Sequence, residues 1–66
     1  MNIIINGEQK SLEEPLFIHE LLDQLKVDPS LVVVERNELI VRRADWTKTR
    51  ISNQDKIEIV HLVGGG

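Results

Sequence analysis

NIIINGEQKSLEEPLFIHELLDQL, residues Asn2 to Leu25, changes its apolar period halfway along, and that change decides the fold. The first half is a β-branched run followed by Asn6-Gly7, a pair that readily takes the positive φ angles of a type I′ turn, and then a second short polar-alternating run. It predicts a hairpin. Alternation aims Ile3 and Ile5 at one face and Asn2, Ile4 and Asn6 at the other, which leaves Ile4 as an apolar residue on the outer side of a sheet. In the second half Ile18, Leu21, Leu22 and Leu25 follow the i, i+3, i+4, i+7 spacing of one helical face, with Glu20 and Asp23 on the solvent side. Pro15 stands before this helix and Pro29 beyond it. Phe17 cannot accept a hydrogen bond as an N-cap, so Glu14 is the residue left to favour the helix start through the macrodipole.

Farther along, LVVVERNELIV (Leu31 to Val41) reads as a second hairpin around Arg36, Asn37 and Glu38, and KIEIVHL (Lys56 to Leu62) as a last strand. That strand puts Ile57, Ile59 and His61 on one face and Glu58, Val60 and Leu62 on the other. Between them RRADWTKTRISNQD is a polar connection whose large anchors are Trp46 and Ile51, with Trp46 read as a core residue. The fold class is α+β: a mixed sheet of four to five strands packed on one main helix in two layers. Residues 1–62 form the domain and residues 63–66 a flexible glycine tail.

Sixty-six residues without a cysteine must fold on a small core, with no disulfide to help. His19 and His61 are the only nitrogen ligands, so no metal site is expected. The net charge of −3 is uneven. Residues 1–35 hold two basic and seven acidic side chains, whereas residues 36–66 hold six basic and four acidic. The basic group, Arg36, Arg42, Arg43, Lys48 and Arg50, is interleaved with Glu38 and Asp45, which is a poor nucleic-acid footprint. No apolar run approaches a membrane span and no leader is visible, so neither membrane nor nucleic acid is expected as a partner, and the cytoplasm is the expected location. Catalytic sets are missing too: there is no nucleophile elbow, no Cys–His pair and no phosphate loop.

What remains is HLVGGG, His61 to Gly66, which holds three of the four glycines. Glycine has no Cβ, so this segment fits a channel too narrow for other residues. Its extended reach is at most about 20 Å. A glycine carboxylate is an unhindered acyl group that a partner enzyme could activate with a nucleotide. Glycine composition alone is equally compatible with a frayed end.

The pattern of MNIIINGE, LLDQL, VVVERN, LIV, RADW and above all DKIEIVHLVGGG resembles the ThiS sulfur carriers of thiamine biosynthesis, a family within the ubiquitin-like β-grasp proteins. The resemblance spans essentially the whole chain, and Gly65-Gly66 is its most specific part. It implies that Gly66 is the reacting terminus. An E1-like, ThiF-like enzyme would adenylate its carboxylate using ATP, and a sulfur donor enzyme would supply the sulfur that replaces AMP. The resulting thiocarboxylate would serve a ThiG-like thiazole synthase. The chain itself would bind no cofactor and would be a carrier rather than an enzyme. Val63, Gly64 and Gly65 would enter the partner's channel, and Ile4, Val60 and Leu62 would form a docking patch if the first and last strands are neighbours. Three positions depart from the family's habit: Glu38 and Gln54 stand where glycine is common, and Phe17 where Thr or Ser is common. Other readings of the same fold are the small subunit of molybdopterin synthase or another sulfur carrier, a ubiquitin-like modifier, and an RNA-binding β-grasp module using Arg36 to Arg50.

Overall fold

The computed structural model describes residues 1–62. Its strands are β1 (Asn2–Ile5), β2 (Glu8–Ser11), β3 (Val32–Arg36), β4 (Leu39–Val41) and β5 (Lys56–His61), with one helix, α1 (Ile18–Gln24), and two single 3₁₀ turns at Pro29–Leu31 and Arg43–Asp45. The sheet order is β2-β1-β5-β3-β4. β1 runs parallel to β5, and every other pairing is antiparallel, so all five strands form one mixed sheet. The chain's last strand is therefore its central one.

Both hairpins turn as the sequence predicts. Asn6 and Gly7 lie at φ 49° and 82°, and Asn37 and Glu38 at 51° and 72°. The first pair suits its conformation. Glu38 does not, since a side chain in the left-handed region costs about 1 to 2 kcal/mol. Gln54, at φ 69°, has the same problem just before β5. Both are positions where the family habit of glycine has a direct steric reason.

The core is one cluster formed by Ile3, Leu12, Leu16, Ile18, Leu21, Leu22, Val32, Val34, Trp46, Ile51, Ile57 and Ile59. Trp46 belongs to it, and its indole N–H donates to the Val41 carbonyl at 2.9 Å, so burial leaves no polar atom unpaired. The helix start is satisfied differently from expectation. Glu20 compensates directly for Phe17: its carboxylate accepts the Phe17 amide at 2.8 Å. The next two amides, Ile18 and His19, donate to the carbonyls of Thr49 and Trp46 in the polar connection. Tertiary structure thus supplies the acceptors that a serine or threonine would have offered. At the other end Lys26, at φ 56°, closes a Schellman motif in which Val27 N–H reaches Leu22 O and Lys26 N–H reaches Asp23 O.

Three side chains fix β5 against its neighbours. Asn6 Oδ1 accepts the Ile59 amide at 2.8 Å, and Asn37 Oδ1 accepts the Lys56 amide at 2.9 Å. Asp55, 6% exposed, accepts from Arg36 Nε at 2.7 Å, the Ser52 amide at 2.8 Å and Asn37 Nδ2 at 3.0 Å. Burial pushes the Asp55 carboxyl up and is the largest single influence on it, but the Ser52 amide, the Arg36 guanidinium and the Asn37 amide together outweigh it. The carboxyl is held below the usual carboxylate range.

Two predictions follow from this backbone. Glu38→Gly and Gln54→Gly each relieve a left-handed side chain at some cost in unfolded-state entropy, so each should raise the unfolding free energy by about 0.5 to 1 kcal/mol in urea titrations. Because the folded-state pKa of Asp55 is depressed, its contribution is present above the unfolded value of about 3.9 and is lost as pH falls through the folded value. Unfolding measured from pH 6 to pH 2 should show a steeper acid loss in the wild type than in Asp55→Asn, with Asp55→Asn the less stable protein at pH 6.

Candidate functional site

The open face of the sheet, opposite the helix, is set by register. Ile4 pairs with Lys56, and Ile5 with Ile57, so Ile4 lies on the same side as Lys56, Glu58 and Val60. Across β3, Glu58 faces Glu35 and Val60 faces Val33, while Glu35 also faces Ile40 of β4. One step beyond β5, the Leu62 amide donates to the Leu31 carbonyl at 2.7 Å. Reading along β5 toward the end of the chain, the outer face passes from a lysine through a pair of glutamates to Val60 with Val33 and then Leu62 with Leu31.

This apolar end is exposed. Val60 is 46% accessible, Leu62 54% and Leu31 49%, whereas Ile57 and Ile59 on the opposite side of β5 are buried. Val60 and Leu62 therefore sit together as the sequence predicts, with Val33 and Leu31 as additional members. The first and last strands are neighbours, as the docking expectation required. Ile4 shares the face but is half-buried and lies beside Lys56, four residues along β5 from Val60, a separation of roughly 13 Å. It belongs to the same surface, farther along the strand. Val33 and Leu31 could have been found from sequence only with the β3–β5 register in hand. Val63, Gly64, Gly65 and Gly66 lie outside the described residues.

The basic segment is largely occupied within the fold. Arg36 binds Asp55, Arg42 Nε lies 3.4 Å from Asp45, and Arg43 donates to the Pro29 carbonyl while its guanidinium stacks 5.5 Å from the Trp46 ring. Arg50 covers the Phe17 ring at 4.8 Å. These cations cap the core and brace turns. His19 Nδ1 lies 3.4 Å from the Trp46 carbonyl and is otherwise exposed, and His61 is exposed at the end of β5. Among the described residues no three acidic, histidine or cysteine side chains gather as a metal site, and no helix is long and apolar enough to cross a membrane. One groove lies on the helix side, between Glu14, His19, Glu20, Asp23 and Trp46. A second groove, bordered by Ile5, Leu25, Val27, Ile59 and His61, opens beside the end of β5.

If the outer apolar residues are not part of the core, Val60→Ser and Leu62→Ser should each change the unfolding free energy by less than about 0.5 kcal/mol. Ile59→Ala, on the buried side of the same strand, should cost about 3 kcal/mol. Urea midpoints of the three variants test the division.

Comparison with known proteins then places the chain among relatives. A family model described as the ThiS family matches residues 3–66. The protein ycf40 of Trieres chinensis is 44% identical over 62 residues, covering 94% of this chain and 85% of that protein. The sulfur carrier protein ThiS of Bacillus subtilis is 39% identical over 49 residues, 74% of each chain. A thiazole synthase of Paramagnetospirillum magneticum is 38% identical across all 66 residues, and this chain spans only 20% of its length. The crystal structure of the thiamine biosynthesis protein ThiS from Geobacter metallireducens superposes with a TM-score of 0.89, at 33% identity and full coverage of both chains.

Proposed function

The chain belongs to the ThiS family, a ubiquitin-like β-grasp fold, and from that premise we propose that it is the sulfur carrier of thiamine thiazole synthesis, with the Gly66 carboxylate as its reacting group. The observation that carries the proposal is the placement of β5. It is paired with β1 at its start and with β3 along its length, and is held by Asn6 and Asn37, so the three glycines follow a strand in the middle of the sheet.

The chemistry asked of the chain is slight. A carboxylate oxygen of Gly66 attacks the α-phosphorus of ATP on a ThiF-like activating enzyme, pyrophosphate leaves, and the acyl-adenylate forms. Sulfide equivalents from a sulfur donor enzyme then attack the acyl carbon, AMP leaves, and a thiocarboxylate remains for a ThiG-like thiazole synthase. ATP is the partner's substrate, and the chain contributes an unhindered acyl carbon. Gly64 and Gly65 pass through the partner's channel, where a β-carbon would collide, and Val63 meets the partner just before it. Val60 and Leu62, with Ile4 farther along the face, give the partners apolar surface to dock on. The chain acts as a cosubstrate of these enzymes in the cytoplasm rather than as a catalyst. A fused relationship supports the thiazole synthase as partner, since the Paramagnetospirillum thiazole synthase carries a segment matching this whole chain.

The test separates docking from chemistry. Mixed with the activating enzyme and ATP, the wild type should give the acyl-adenylate by intact mass. Gly65→Val, and a chain extended by one residue beyond Gly66, should give none while binding the enzyme as before. Leu62→Asp should raise the concentration of enzyme needed for half-maximal adenylation about tenfold or more, with the product still forming at saturation. Full adenylation of an extended chain whose added residue is intact would overturn the assignment of Gly66.

A further inference from the structure

The sheet ends in β2 on one side and β4 on the other, and the two edges are built differently. β2 is Glu8-Gln9-Lys10-Ser11, wholly exposed, and charged side chains of this kind guard a free edge against pairing with another strand. β4 is Leu39-Ile40-Val41, with Leu39 73% and Ile40 67% exposed. Which of its backbone groups are free follows from the turn. The two-residue turn at Asn37-Glu38 makes Arg36 and Leu39 a hydrogen-bonded pair, and alternation makes Val34 and Val41 the next, so Ile40 is left with its N–H and C=O pointing outward. Opposite charges stand at the two ends, Glu38 just before β4 and Arg42 just after it, both highly exposed. Each has a loose partner in its own chain: Lys56 Nζ lies 4.0 Å from Glu38, and Asp45 lies 3.4 Å from Arg42 Nε.

We propose that two copies of this chain pair edge to edge through β4, antiparallel, about a two-fold axis beside Ile40. In that register the edge complements itself. Ile40 faces Ile40 of the second copy, and the two exchange their outward N–H and C=O groups. Leu39 of each copy meets Val41 of the other on the helix side, where Val41, Asp45, Lys48 and Thr49 border a groove. Glu38 of each copy meets Arg42 of the other, so two ion pairs flank the apolar centre. A parallel arrangement would set Glu38 beside Glu38 and Arg42 beside Arg42, and like charges in that position repel. Because β4 is used up in the contact and β2 is guarded, growth stops at two copies. β5 runs in the same direction as β4, since both are antiparallel to β3. The two copies of β5 therefore end on opposite sides of the joined sheet, and Val60 and Leu62 of both stay uncovered. The dimer does not depend on the sulfur-carrier reading and leaves its docking surface free.

So short an edge buries less than a standard interface, and the association is weak. Sedimentation of the full chain from about 10 μM to 1 mM should show the average mass rising from 7.6 kDa toward twice that value. Glu38→Arg and Arg42→Glu should each weaken association about tenfold, because each sets like charges opposite one another. Mixing these two variants should restore it, since every cross-strand pair in the mixed dimer is again of opposite sign. The chain has no cysteine, so Ile40→Cys gives a second readout: mild oxidation should link it into a disulfide dimer, and should link Gln9→Cys on the β2 edge far less. A wild type that stays at 7.6 kDa throughout would overturn the proposal. So would single variants that associate as the wild type does, a mixture no better than its components, or equal linking at the two edges. A monomeric chain whose Ile40→Lys variant loses binding to the activating enzyme would assign this edge to that enzyme, and overturn it too. Adenylation of Gly66 should be unchanged in Glu38→Arg and Arg42→Glu, so a failed dimer and a failed carrier assignment give different results.

Discussion

β5 is held from both sides by the turns of the two hairpins. Asn6 and Asn37 each occupy the first left-handed position of a tight turn, and each uses its side-chain oxygen to accept an amide of β5. The backbone does the same work beside them: the Asn6 amide donates to Ile57 and the Asn37 amide to Lys56. Asp55 then ties the start of β5 to β3 through Arg36 and to the turn through Asn37. A strand has period two, so a slip of one residue would carry Val60 and Leu62 into the core and Ile57 and Ile59 out to water. Every property of the outer face follows from the register these groups impose.

The same residues mark the boundary of what the sequence discloses. The hairpins, the helix, the last strand and the burial of Trp46 were legible, because each depends on local period or on turn chemistry near in sequence. Asn6 was legible as a turn residue and silent as a clamp, since the Ile59 amide that its side-chain oxygen accepts lies 53 residues away. Asp55 looked like an ordinary polar loop residue, and its burial arises from the approach of Arg36 and Asn37 from another hairpin. The helix start shows a related gap. Phe17 was correctly read as a poor cap, but the carbonyls that replace a cap belong to Trp46 and Thr49, and only the folded chain brings them there.

The outer face was half legible for a similar reason. Alternation along β5 placed Val60 and Leu62 together, since that requires one strand alone. Which residues stand beside them requires the register of two strands, so Val33 and Leu31, the Glu35–Glu58 pair and the distance of Ile4 from Val60 emerged with the structure. Charge shows the same limit. The interleaved arginines read as a solvated face, and Arg42, Arg43 and Arg50 are exposed as that reading expects; their contacts with Asp45, Pro29 and the rings of Trp46 and Phe17, and that of Arg36 with Asp55, came only with the structure.

Such use of cations bears on how so small a protein divides its residues. With no disulfide available, arginine stems extend the core over Phe17 and Trp46, and one buried ion pair orders the central strand. Those devices lie on the helix side or at the turns. On the outer face the opposite choices are made: apolar side chains are exposed and two carboxylates are set against each other. Left-handed glutamate and glutamine at positions 38 and 54 add further cost. A domain with so little core carries these costs on its outer face and at its turns, and holds its central strand in register with side chains from both hairpins.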